Sequence, residues 1–166
     1  EKRRGAIREL KKLIDAGVRI EGVGLQGHWR LGDPTLEQIR ATIEDFAELG
    51  LKVMITELDI SVLPNYWAMS ADVRNSIENR DDLNPYSGGI PDSVQTQLTQ
   101  RYQDLFRLFL DHHQDIDRVT FWGVYDGTSW LNHYPVRGRT DYPLLFNREL
   151  QKKPAYDAVI KTAQQY

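Results

Sequence analysis

The stretch Leu51–Ile60 (LKVMITELDI) limits the fold of this chain more than any other. It is apolar almost throughout, rich in β-branched residues, too short for a bundle helix, and it runs straight into Glu57 and Asp59. Such a run marks a strand buried on both faces in a parallel sheet. Parallel neighbours cannot be joined by a tight turn, so each needs a crossover of a dozen residues or more, usually a helix. Polar residues at the end of such a strand belong to the C-terminal rim of the sheet, where open α/β folds place their ligands.

The flanking sequence supplies those crossovers. Ile7, Leu10, Leu13 and Ile14 recur at helical spacing from Glu1 to Ala16, and Gly17 stands where a left-handed cap is wanted. Val18–Trp29 (VRIEGVGLQGHW) has no helical period, which predicts a buried strand near Gly22 to His28. Asp33-Pro34-Thr35 offers capping oxygens and a first-turn proline to a helix whose stripe is Leu36, Ile39, Ile43, Phe46 and Leu49, ending before Gly50. Ser61 to Ser93 reads as a long loop with one helical turn around Ala71 to Ile77. Val94 to His113 is helical again, Arg118 to Tyr125 (RVTFWGVY) is a third strand, and Asp126 to Leu150 is a second irregular loop. Pro154 opens a last helix with Tyr156, Val159 and Ile160 facing inward.

This order makes the chain α/β with right-handed parallel crossovers. A doubly wound sheet and a segment of a (β/α)8 barrel both fit. No glycine-rich phosphate fingerprint follows any strand, which favours the barrel, although three strands do not close one. The 166 residues, 40% hydrophobic, suffice for one core, so residues 1–166 are expected to be part of a single domain. With 21 basic and 24 acidic residues and a net charge of −3, nothing draws the chain to a nucleic-acid backbone. No run approaches the roughly 18 apolar residues that span a bilayer. There is no cysteine, hence no thiolate metal site. The opening Glu-Lys-Arg-Arg, without Met, is what a cropped piece of a longer protein would show.

Glu57 and Asp59 alternate in phase with Val53 and Ile55, so all four are expected on the barrel's interior face, the two acids highest, at the mouth. Val124 of the third strand is expected to line the same interior. A buried acid satisfied by a neighbouring donor is the plain reading of such a carboxylate; a catalytic acid is the sharper one. Gln26 and His28, two apart at the end of the preceding strand, bring an amide and an imidazole to the same rim, and Trp122 and Trp130 flank the end of the third strand. Aromatic faces beside carboxylates at a barrel mouth suit the C–H face of a sugar ring. His112-His113 is expected on solvated surface rather than on a metal, since adjacent helical residues do not face one point. Asp81-Asp82 lacks the ligand spacing of a calcium loop.

In that order, GVGLQGH, VMITELDI, FWGVYDGTSW, PLLF and KPAY resemble the family-10 glycoside hydrolases, endo-β-1,4-xylanases. The resemblance implies the C-terminal part of a (β/α)8 barrel and a retaining hydrolysis of xylan without metal or cofactor. ITELD matches the family's nucleophile strand, which implies that Glu57 attacks the sugar and that Asp59 supports it. GLQGH implies that Gln26 contacts substrate and that His28 orients Glu57 and keeps it charged; Gly27 departs from the serine common there. FWGVYDGTSW implies an aromatic wall of Trp122 and Trp130. The loop NHYPVRGRTDYPLLF resembles that of Bacteroides-type enzymes and implies that Asn132, Arg137 and Arg139 touch substrate or brace the loop. The family's Asn-Glu acid/base motif has no counterpart here, which implies a chain inactive by itself, with the missing N-terminal barrel portion or another copy as its partner. A polymeric substrate implies a secreted, periplasmic or cell-surface protein. A cellulase of a related barrel family and an inert or carbohydrate-binding remnant are the alternatives.

Overall fold

The computed structural model describes residues 2–65 and 81–166, Asp81 by its backbone alone. The helical turn expected at Ala71 to Ile77 lies outside the described residues. The chain runs α1 (Lys2–Asp15), β1 (Gly22–Leu25), β2 (His28–Arg30), α2 (Leu36–Ala47), β3 (Lys52–Ser61), α3 (Asp92–Asp111), β4 (Ile116–Phe121) and α4 (Pro154–Ala163). All described pairings between these strands are parallel, with β3 in the middle.

Helix boundaries follow from local chemistry. Gly17 and Gly50 adopt φ of 82° and 76°, the left-handed turn that ends α1 and follows α2. Thr35 begins α2 with a reciprocal box: its hydroxyl accepts from the Gln38 N–H at 3.2 Å, and the Gln38 side chain accepts from the Thr35 N–H at 2.9 Å. Pro34 therefore precedes the cap instead of opening the first turn. Ile39, Ile43 and Phe46 of α2 are buried against β3, each contributing about 1.5–3 kcal/mol of apolar burial. In α4 the inward face is Ala155, Val159 and Thr162; Ile160, expected inside, is 42% exposed because it falls on the opposite side of that stripe.

The single strand expected from Gly22 to His28 is two. β1 pairs Gly22 with Lys52 and Leu25 with Ile55, whereas β2 pairs His28 with Asp59, so β3 carries one residue more than its neighbour between the ladders. The same excess appears against β4, where Ile55 faces Val119 and Leu58 faces Phe121. A bulge thus sits at Thr56–Glu57, and an extra residue reverses which face each following side chain takes. Val53, Ile55, Leu58 and Ile60 all join the core shared with α2 and α3. The expected phase is overturned: Val53 and Ile55 face the helices, and Glu57 does not share their face. The other face of β3, with Met54 and Thr56, is only half-buried, and Arg118 beside Met54 is exposed. Helices on one face of a parallel sheet are the arrangement of a barrel wall rather than of a doubly wound sheet.

The third strand is shorter than expected, ending at Phe121. The Trp122 N–H still donates to the Leu58 carbonyl at 2.9 Å, and the chain then leaves the sheet to brace the final loop, with the Asp126 N–H on the Phe146 carbonyl at 3.0 Å. Val124, expected in the interior, lies beyond that strand and is 68% exposed.

Candidate active site

The bulge in β3 re-aims Glu57 towards the start of β2 and the residues just before it, and the contacts there form one continuous chain. The Gln26 side-chain amide donates to Glu57 Oε1 at 3.1 Å. His28 Nε2 lies 2.9 Å from Glu57 Oε2, and its Nδ1 lies 3.1 Å from Asp59 Oδ1. The other oxygen of Asp59 accepts from the Trp130 indole N–H at 2.8 Å. Gln26, His28, Glu57, Asp59 and Trp130 are thus brought together by β2, β3 and the loop after β4. Asp59 is fully buried, whereas the Glu57 side chain keeps about a fifth of its surface open to solvent.

An imidazole with a carboxylate on each nitrogen can satisfy both only as the doubly protonated cation. The hydrogen bond that His28 donates to Asp59 raises the His28 pKa most, burial opposes it, and the charge of Asp59 and the contact with Glu57 raise it further; the net direction is up. Both the geometry and the direction of that shift favour the protonated ring between the two acids. It fixes Glu57 through one oxygen while Gln26 fixes the other, which leaves an oriented carboxyl group with part of its surface open to solvent. Such a group can attack an electrophilic carbon or stabilise a developing positive charge.

Aromatic rings surround this chain. The Trp122 ring stands 6.1 Å from that of His28, at 76°, and is 45% exposed. Trp130 lies 4.8 Å from His28 and is stacked on Tyr134 at 5.1 Å and 20°. Tyr134 was not expected. Its signal was available: it follows Trp130 by four residues, and the Tyr134 N–H to Trp130 carbonyl bond at 3.0 Å makes that spacing helical.

Two expected substrate contacts belong to the interior instead. Asn132 is 4% exposed; its amide donates to the Asp126 carbonyl at 2.9 Å, and its oxygen accepts from the Asp141 N–H at 3.0 Å and from Arg148 at 2.8 Å. Arg139 is 6% exposed and donates to the Pro64 carbonyl at 3.1 Å. Both are buried and bond within the loop and its neighbours, Asn132 through its amide and oxygen and Arg139 through one guanidinium nitrogen; Arg137 is exposed. Beneath them Lys153 donates to Asp126 at 2.9 Å and to the Tyr142 carbonyl at 2.8 Å, in a pair buried on both sides. Gly27 points away from the site: a Cβ there would stand 2.9 Å from Ile55 Cγ2 and 3.2 Å from Leu58 Cα. At the far end of α3, His113 is exposed, whereas His112 is tucked against Arg40 at 3.1 Å rather than lying in solvent.

Residues 1–162 match the model of glycosyl hydrolase family 10. Endo-1,4-beta-xylanase A of Xylanibacter ruminicola is 38% identical over 161 residues, 96% of this chain and 44% of that protein. The endo-1,4-beta-xylanase of Geobacillus stearothermophilus is 40% identical over 160 residues, again 44% of its length. The structure of an endoxylanase of the same family, retrieved from a sugarcane soil metagenome, superposes with a TM-score of 0.87 at 38% identity, covering 96% of this chain and 44% of that one. The chain spans less than half the length of these relatives.

Proposed function

This chain belongs to glycosyl hydrolase family 10 and forms a segment of a (β/α)8 barrel; from that premise we propose that it is the C-terminal part of one catalytic barrel and carries the nucleophile half of a retaining endo-β-1,4-xylanase site. The observation that carries the proposal is the fixation of both Glu57 oxygens, one by Gln26 and one by a His28 that Asp59 holds in turn. In this reading Glu57 attacks the anomeric carbon of a xylose unit and the glycosidic C–O bond breaks. The leaving oxygen takes its proton from a second carboxyl group roughly 5–5.5 Å away, which then removes a proton from water as that water displaces Glu57. Gln26 contacts the sugar held by Glu57, and Trp122, with the edge of Trp130, walls its apolar face.

The second carboxylate is proposed to come from the part of the barrel that this chain does not span. A groove of about 1030 Å³ runs along β1 between α1 and α2 and includes Gln26 and Glu57, and it is offered here as the seat of that part. Without a general acid the leaving sugar departs as an alkoxide, and positioned proton transfer contributes roughly 10²–10⁴-fold. The 166 residues alone are therefore expected to hydrolyse xylan negligibly. A polymeric substrate supports a location outside the cytoplasm, by secretion, in a periplasm or on the cell surface. No helix among the described residues is long and apolar enough to cross a membrane.

The test follows the anomeric configuration of products released from xylo-oligosaccharides by the protein that contains this chain, using proton NMR. The β-anomer appearing first supports retention, and the α-anomer first contradicts it. Faster turnover of cello-oligosaccharides would move the assignment to a cellulase, and no turnover of either would leave the inert-remnant alternative.

A further inference from the structure

The buried carboxylate of Asp141 lies outside the chain from Gln26 to Trp130, yet it holds the end of the strand that carries that chain. Asp141 is 1% exposed. Its Oδ2 accepts from the Ser61 hydroxyl at 2.6 Å, and its Oδ1 accepts from the backbone N–H of Val62 at 3.1 Å and of Tyr142 at 2.8 Å. Ser61 and Val62 stand two and three residues after Asp59. On either side of that grip the same two segments are laced again. The Ile60 N–H donates to the Pro143 carbonyl at 3.3 Å, and Arg139 donates to the Pro64 carbonyl at 3.1 Å. From β2, Arg30 adds a bond of 3.0 Å to the Leu63 carbonyl. Successive residues from 60 to 64 are thus held by groups some eighty residues later or thirty earlier. The two arginines offset the buried negative charge of Asp141.

We infer that Asp141 is a positioning residue for the reaction: it fixes where β3 ends, and with it the separation of Glu57 and Asp59 from His28. The inference rests on Glu57 being the attacking carboxylate. The bulge at Thr56–Glu57 is what makes such a clamp necessary, because a bulged strand has lost ladder bonds where the acid sits and takes its geometry from what holds its far end. Nothing in the sequence around Asp141 marks it, since its partners are an ordinary serine and two backbone amides.

The experiment uses the protein that carries this chain, with two readouts. One is the titration of His28, followed by NMR of labelled histidine; the other is kcat per active site, counted with a slowly released 2-fluoro xyloside. Asp141→Ala is expected to lower the His28 midpoint, because Asp59 drifts from Nδ1, and to lower kcat per site on the order of 10- to 100-fold with KM within about threefold. Asp141→Asn, which keeps the shape and an acceptor for the backbone amides, is expected to restore activity to within about threefold of wild type. Ser61→Ala removes a single bond and is expected to move both readouts the same way by less; it decides the matter where Asp141→Ala fails to fold. An unmoved His28 and an unchanged kcat per site in the folded variants overturn the inference, as does a loss confined to thermal stability. A wild type that takes no label sinks the enzymatic reading instead, and the His28 shift then decides the positioning by itself.

Discussion

Replacing Asp59 by alanine removes the acceptor shared by His28 Nδ1 and the Trp130 indole N–H, at 3.1 and 2.8 Å. Each donor left without a partner costs about 1–3 kcal/mol, and both rings keep some exposure through which water enters, so a loss of about 2–4 kcal/mol is expected. The loss depends on pH, and the sign follows from His28. Its folded pKa is raised, so its contribution is complete below the ordinary unfolded value of about 6.5 and fades as the pH climbs through the folded value. Asp59 is the largest cause of that raised value. The gap between wild type and Asp59→Ala should therefore be widest near pH 5.5 and narrow by about 1 kcal/mol near pH 9, the difference between a charge-assisted and a neutral hydrogen bond. Denaturant unfolding of the protein that carries this chain, at both pH values, measures the gap, and NMR titration of His28 should show its midpoint falling. A gap that stays flat with pH, together with an unmoved His28 midpoint, would refute the placement of the cation between two acids.

Two further outcomes follow from the geometry. Lys153→Met strands the buried Asp126 carboxylate, whose pKa burial already raises, and is expected to cost about 3–5 kcal/mol in urea or guanidinium unfolding, with part of the loss recovered when Asp126→Asn, which keeps the acceptor for the Leu144 N–H, is made alongside it. Trp122→Ala removes a half-exposed ring beside His28 that makes no hydrogen bond in the chain of contacts; it should lower kcat/KM on xylo-oligosaccharides about 10-fold while leaving the unfolding midpoint within about 0.5 kcal/mol of wild type.

The parts of the fold legible in the sequence are those set by local rules. α2 and its cap, the end of α1 at Gly17 and the core of β3 all lie where periodicity and capping chemistry put them, within a few residues. The rim of the site was legible as well, because polar residues at strand ends are conspicuous against apolar runs: the structure brings Gln26, His28, Glu57 and Asp59 to one place. What alternation misread is the face. A strand's period is two only while its ladder is regular, and a one-residue bulge is invisible in composition, so Val53 and Ile55 were given to the wrong side of the sheet. In the loop after β4 the sequence leaves two roles open, substrate contact and loop bracing, for a related reason. Asn132 and Arg139 are polar residues in an irregular segment, which reads as surface, yet they serve as internal donors for backbone groups that no helix or strand satisfies. Asp141 is the same case, with partners eighty residues away.

The central claim is that Glu57 forms a covalent bond to the sugar. A 2-deoxy-2-fluoro xylobioside with an activated leaving group needs little help from a general acid, so it should load the protein that carries this chain with one ester that breaks down slowly. Digestion and mass spectrometry of the loaded protein are expected to place the label on the peptide containing Ile55-Thr56-Glu57-Leu58-Asp59, on Glu57 itself, and Glu57→Gln should take no label and lose kcat by several orders of magnitude. Label on any other carboxylate, or full activity of Glu57→Gln, would contradict the account.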